Sequence, residues 1–218
     1  MNCLLIAATG TEIAPFMQHY STADKKIYID FDLQVLVTGV GIMASTYSLT
    51  NYLAQHKPQL IIMVGIAGTY NKLTELGTVV AVKKDTIADM GVAENGKWVD
   101  MFDLKMLTKN AQPYTNKWLV NNNKTLLKRT KLPLVNAVTI NQIATQKKAI
   151  ALIATTYKPH IETMEGAALH YVALQHQIPF VQIRGISNYV GDRNKSRWQI
   201  KKAIENSNQV LINLFESL

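Results

Sequence analysis

Residue types that can do chemistry stand at Glu12, at Gly39 and Gly41, along Gly65-Ile66-Ala67-Gly68-Thr69, at Glu165 and at Ser187-Asn188. A carboxylate can take a proton from water or hold a cationic centre by charge. A side-chain amide offers a donor and an acceptor side by side. Glycine turns let backbone N–H groups approach a ligand, an anion included. Each stretch also has an ordinary reading. Glu12 and Glu165 suit the first turn of a helix, where the dipole favours an acid, and Asn188 suits a turn. Their placement tips the balance, because each follows directly on an apolar run.

Those runs are the elements that must position them. Strands are predicted at 3–8, 33–37, 60–64, 78–82, 134–140, 161–164 and 180–186, the first a continuous apolar run and, like the third, buried on both faces. A helix is expected over 42–55, ending before Lys57-Pro58. Met164, Ala167, Ala168 and Tyr171 follow the helical period. So do Ile200, Ala203, Ile204 and Ser207, continued by Leu211, Leu214, Phe215 and Leu218. Alternating strands and helices predict an α/β fold, with a mostly parallel sheet between helices, as one domain over residues 1–218. The stretch 83–131 is rich in Asn and Lys and reads as loops plus one helix near 114–129. In an open parallel sheet, ligands bind outside the carboxyl ends of the strands. The two carboxylates, the amide and the glycine turns then converge on one crevice.

Composition narrows the function classes. Of 218 residues, 48% are apolar and 17% charged, which argues for a packed core and against disorder. No apolar run approaches the roughly 20 residues of a membrane helix, and no secretory signal is expected. The one cysteine, Cys3, allows no internal disulfide and points to a reducing cytoplasm. Net charge is +8, but the lysine pairs Lys25-Lys26, Lys83-Lys84, Lys147-Lys148 and Lys201-Lys202 are scattered. Only 124–131 resembles a basic stripe, and a solvated surface is expected there rather than a nucleic-acid face. A small anionic substrate would account for the charge equally well.

Several motifs drop out. Gly39-Val40-Gly41-Ile42-Met43-Ala44 matches the dinucleotide fingerprint, yet no Asp or Glu occurs between Asp32 and Glu75 to hold a ribose hydroxyl. There is no Walker motif and no G-x-S-x-G elbow. His19, His56, His160, His170 and His176 show no metal-ligand spacing, so no metal and no cofactor is expected.

Read together, the motifs resemble the nucleoside phosphorylase and nucleosidase superfamily. The carriers are Glu12, Thr38-Gly39-Val40-Gly41, Val64-Gly65-Ile66-Ala67-Gly68, Thr163-Met164-Glu165-Gly166-Ala167-Ala168 and Arg184-Gly185-Ile186-Ser187-Asn188. Within the superfamily the chain is most similar to the futalosine hydrolases of menaquinone biosynthesis, through 187–193 and Trp198. The resemblance implies a three-layer α/β/α fold with a mostly parallel mixed sheet. It implies hydrolysis of a purine N-glycosidic bond, releasing hypoxanthine from futalosine, with water as nucleophile. The alternatives are a methylthioadenosine/adenosylhomocysteine nucleosidase and a phosphate-dependent purine nucleoside phosphorylase.

By the same resemblance Glu12 activates the water, Glu165 accepts hydrogen bonds from the ribose hydroxyls over Met164, and Asn188 binds the base. Gly39, Gly41, Gly65, Ala67, Gly68 and Thr163 are expected around the sugar and base, with Thr139, Ile140 and Asn141, from the segment 138–143, on the purine face. Arg193, with Arg197 behind it, is a candidate for the carboxylate of the substrate's 5′ arm. Trp98 and Phe102 could form a lid or a local apolar cluster. A cytoplasmic homo-oligomer, a dimer in the first instance, is expected. Hydrolysis is favoured over phosphorolysis because none of the four arginines, Arg129, Arg184, Arg193 and Arg197, lies in the first 128 residues, where the glycine turns sit. Ile66 also stands where a phosphate-holding serine is common in the superfamily.

Overall fold

A strand buried on both faces feeds alternate side chains into two cores. In the computed structural model, which describes residues 1–22 and 32–216, β1 (Asn2–Ala7) sends Cys3, Leu5 and Ala7 one way and Leu4 and Ile6 the other. β3 (Leu60–Thr69) repeats the split, with Leu60, Ile62 and Val64 opposite Ile61 and Met63. The first core is closed by α1 (Gly10–Thr22) and α6 (Ile200–Phe215), through Ile13, Phe16, Leu211, Leu214 and Phe215. The second is closed by α2 (Ile42–Leu53) and α5 (Gly166–Gln175), through Leu49, Leu53, Leu169 and Val172. Lys25, Lys26 and Leu218 lie outside the described residues.

The sheet is mixed. β1 runs parallel to β2 (Asp32–Val37) and to the first half of β3. β10 (Phe180–Tyr189) runs parallel to almost all of β3, and β4 (Val79–Asp85) runs antiparallel to β10. β8 (Leu134–Thr139) lies parallel to β4, and β9 (Ile161–Thr163) parallel to β8 and antiparallel to the end of β3. The pairings of β3, β10, β4, β8 and β9 therefore close into a ring, from which β1 and β2 extend. β3 leaves β1 after Met63 and meets β9 at Gly68. That handover brings the C-terminal ends of β1, β3 and β10 and the residues after β9 to one place.

Three expectations are corrected. The helix expected over 114–129 is only α3 (Lys124–Arg129), because positive φ at Asn116 and Lys117 breaks the backbone and β7 (Leu119–Val120) pairs with β4 instead. The segment before it also folds a hairpin of β5 (Gly91–Glu94) and β6 (Lys97–Asp100). α1 and α4 (Lys147–Tyr157) form where the sequence pattern predicts no helix. Gly10 and Pro15 mask α1, and an unbroken apolar run at 149–154 hides the period of α4. Lys124, Lys128, Arg129 and Lys131 all face solvent. Among the described residues no helix is long and apolar enough to cross a membrane.

Candidate active site

At the handover lies a mainly apolar cavity of about 310 Å³. Glu12, Ala67, Gly68, Ile140, Thr163, Met164, Glu165, Asn188 and Arg193 line it. Glu12 comes from the first turn of α1 and is 8% exposed. Its Oε2 accepts from the Thr9 backbone N–H and the Thr9 hydroxyl, each at 3.1 Å, and its Oε1 from the Ile66 N–H at 3.1 Å. Those contacts fix the carboxylate yet leave one lone pair, on Oε1, for a water. Gly65 makes them possible: a Cβ there would lie 2.8 Å from Glu12 Oε1 and 2.5 Å from Arg184 Nη1.

Glu165 stands at the N-terminus of α5, 6% exposed. Its Oε1 accepts from the Gly41 N–H at 3.0 Å, and its Oε2 lies 3.7 Å from Arg184 Nη1. Gly41, at φ +93°, and Gly39, at φ +85°, take the left-handed backbone that turns β2 into α2 and aims that N–H at the carboxylate. The two glycines act on Glu165 from outside the cavity wall.

Gly65, Thr139 and Asn141, also expected at the substrate, are not among the residues lining this cavity. Thr139 is fully buried. Its hydroxyl donates to Asp85 Oδ1 at 2.9 Å and accepts from the Ala167 N–H at 2.7 Å. Asn141 is exposed and tied to Asp89. Of the segment 138–143, Ile140 and Ile143 supply the apolar wall instead. Phe102 packs edge-on to Tyr114 at 5.2 Å, and Trp98 bonds the Tyr157 hydroxyl at 3.3 Å. Within this chain both belong to local apolar clusters, and neither lines the cavity.

Arg184 changes the arginine argument. It lies beside the Gly65 turn, so an arginine does reach a glycine turn, from the far end of the sequence. At 1% exposure it is enclosed by Glu165, the Ile66 carbonyl at 3.4 Å and Met63 Sδ at 2.9 Å. It holds the carboxylate and offers nothing to the cavity. Arg193 is the arginine in the wall, its guanidinium 5.6 Å from the Trp198 ring centroid. Arg197 is 72% exposed and pairs with Asp192 at 3.6 Å.

A Phosphorylase superfamily model matches residues 4–218. The chain belongs to the Phosphorylase superfamily. It is 27% identical over 172 residues to the futalosine hydrolase of Thermus thermophilus, covering 78% of this chain and 75% of that one. It is 26% identical over 190 residues to the 5′-methylthioadenosine/S-adenosylhomocysteine nucleosidase of Haemophilus ducreyi, covering 83% and 78%. Its fold matches the native structure of futalosine hydrolase from Helicobacter pylori with a TM-score of 0.83, at 15% identity, over 100% of this chain and 98% of that one.

In this superfamily member a buried polar layer seats α5 and thereby Glu165. Asp85 Oδ1 accepts from the Thr86 N–H at 2.8 Å as well as from Thr139. Gly166 rests directly on Asp85 and Gln182, where a Cβ would collide with both. Burial pushes the Asp85 carboxyl up to about 6, against the pull of Thr139 and Arg184. Burial also pushes His170 down to about 4. Among the described residues no group of three His, Cys, Asp or Glu side chains could hold a metal. Sequence reasoning missed Thr9, Arg184, Asp85 and Glu162, the last a further carboxyl in the cavity wall. The one available signal was an arginine in the middle of the apolar run of β10.

Proposed function

We propose that the chain hydrolyses the N-glycosidic bond of a 6-oxopurine nucleoside, with futalosine as the substrate and hypoxanthine as the released base. One observation carries the reading: two buried carboxylates, Glu12 held by two backbone N–H groups and Glu165 by one, face one cavity whose wall also carries the Asn188 amide. Glu12 takes a proton from the attacking water. Glu165 holds the ribose hydroxyls and stabilises the oxocarbenium-like centre by its charge. Met164 packs under the sugar, and Ile140 and Ile143 pack against the base. Ile66 in the wall and the enclosure of Arg184 favour water over phosphate.

Trp198, Ile200, Ile204 and Arg193 also line the cavity, and we assign them to the 5′ arm of the substrate. That set of side chains suits an aromatic arm ending in a carboxylate, which supports futalosine. The apolar side chains there, with the likeness to the Haemophilus nucleosidase, favour methylthioadenosine as the second reading. We place the protein in the cytoplasm as a homo-oligomer, in the first instance a dimer. The buried lone Cys3 supports the first, and the exposed Val40, Met43 and Tyr47 beside the cavity support the second. Chromatography of the base released from futalosine, inosine and methylthioadenosine tests the reading. Hypoxanthine from futalosine is the expected product, and preferential release of adenine would replace the first reading by the second.

A further inference from the structure

Departure of a purine is eased by a proton at N7, and the residues assigned above do not supply one. An amide has no proton to give at ordinary pH, so Asn188 can hold a protonated N7 but cannot protonate it. Glu12 is assigned to the water, and Glu165 is tied to Gly41 and Arg184. A third carboxyl in the wall, that of Glu162, is 8% exposed and has no part in those steps.

The sheet register sets it beside the base site. Asn188 pairs with Gly68 across β10 and β3, and Gly68 pairs with Glu162 across β3 and β9. The three residues form one row on one face of the sheet. Gly68 lets the side chains on either side close in over the middle of that row: a Cβ there would lie 3.2 Å from Asn188 Nδ2, 3.3 Å from Val190 Cγ2 and 3.5 Å from Glu162 Cγ. All three residues of the row line the cavity, so a base edge that meets Asn188 lies next to Glu162. Glu162 Oε2 accepts from the Tyr70 hydroxyl at 2.8 Å, and Oε1 has no partner among the described residues.

We infer that Glu162 is the general acid of the reaction, delivering its proton to N7 of the departing purine directly or through one water. The inference rests on the nucleosidase reading. As the bond from the anomeric carbon to N9 breaks, its electron pair goes to N9. The Glu162 proton goes to N7, so the base leaves neutral and Glu162 remains as carboxylate. On the sugar, the water oxygen bonds the anomeric carbon and its proton passes to Glu12. Return of that proton to Glu162 through solvent closes the cycle.

Burial raises the Glu162 pKa, and the Tyr70 hydroxyl works against that rise. Asn188 faces Glu162 across Gly68, and Glu12, Glu165, Asp192 and Arg193 are the charged side chains of the same wall. The acid form is the active one, so kcat/KM falls as pH rises through the Glu162 pKa.

Glu162→Gln, which keeps the shape and removes the proton, is assayed on a hypoxanthine riboside and on its N7-methylated analogue, whose cationic base needs no proton to leave. The expected result is a fall of about 10²- to 10⁴-fold on the first with loss of the alkaline limb, and a rate close to wild type on the second. Tyr70→Phe, which removes a donor to the carboxylate, moves the alkaline limb to higher pH. A Glu162→Gln enzyme that keeps the wild-type rate on the hypoxanthine riboside, or that loses both substrates equally, overturns the assignment. A wild-type enzyme that cleaves neither nucleoside overturns the nucleosidase reading, and this inference with it.

Discussion

Replacing Asn188 by Asp should move base selectivity from 6-oxopurines towards 6-aminopurines. The amide is oriented by its neighbours: Nδ2 lies 3.3 Å from the Tyr189 carbonyl, which can only accept, and Oδ1 lies 2.8 Å from the Ser187 hydroxyl. One N–H and one Oδ1 lone pair remain for the base. Hypoxanthine protonated at N7 presents a donor beside the O6 acceptor and satisfies both. Adenine protonated at N7 presents two donors, and the Nδ2 proton then loses its partner. An unpaired buried polar group costs about 1–3 kcal/mol, or about 5- to 150-fold in rate. In Asn188→Asp the new oxygen accepts from the 6-amino group but faces the Tyr189 carbonyl, so activity on the 6-oxo substrate falls while the preference shifts. The assay is the ratio of kcat/KM for futalosine and its 6-amino analogue in both enzymes. The ratio should move towards the amino analogue by about 5- to 150-fold. A ratio that does not move refutes Asn188 as the selector.

Glu165→Gln should raise KM and lower kcat together, and wild type should be poor on 2′-deoxynucleosides; equal rates on ribo- and deoxyribonucleosides would remove the ribose contact. Gly65→Ala pushes its Cβ into Glu12 Oε1 and Arg184 Nη1, 2.8 and 2.5 Å away, and should cost about 10²-fold in kcat, as a misplacement of about 1 Å does; an unchanged kcat would show that neither carboxylate depends on that turn. The buried pair Asp85 and His170 has opposite pH signatures. With its pKa raised to about 6, Asp85 contributes stability at low pH that is lost as pH rises through about 6, whereas His170, lowered to about 4, contributes stability at neutral pH that is lost as pH falls towards 4. The two opposing dependences partly offset one another between about pH 4 and 6, so Asp85→Asn should expose the His170 loss on acidification in urea melts; a variant that parallels wild type at every pH would refute this account of Asp85.

The strands that carry the site were legible because burial on both faces leaves continuous apolar runs, as in β1 and β3. Glu12, Glu165 and Asn188 were legible because each follows a predicted strand, and an α/β sheet gathers those ends. Residues acting across the fold were not. Arg184 reaches the Gly65 turn, more than a hundred residues away in sequence, only through the parallel pairing of β10 with β3. Glu162 meets Asn188 only through the β3 register, and no local pattern encodes which strand β3 pairs with at its end. Thr139 and Asn141 were placed on the base by their position along the chain. The pleat buries Thr139 against Asp85, and Asp89 holds Asn141 outside the wall. α4 was hidden because the unbroken apolar run 149–154 at its centre shows no period.

The central claim is that water, activated by Glu12, breaks a purine N-glycosidic bond in this cavity. The most direct measurement incubates wild type and Glu12→Gln with futalosine, with and without phosphate, and quantifies free hypoxanthine and both sugar products. Wild type should release hypoxanthine and the free sugar at the same rate in both conditions, with Glu12→Gln slower by about 10²- to 10⁴-fold at nearly unchanged substrate binding. Turnover that requires phosphate and yields a sugar 1-phosphate, or a Glu12→Gln enzyme that works at the wild-type rate, would contradict the account.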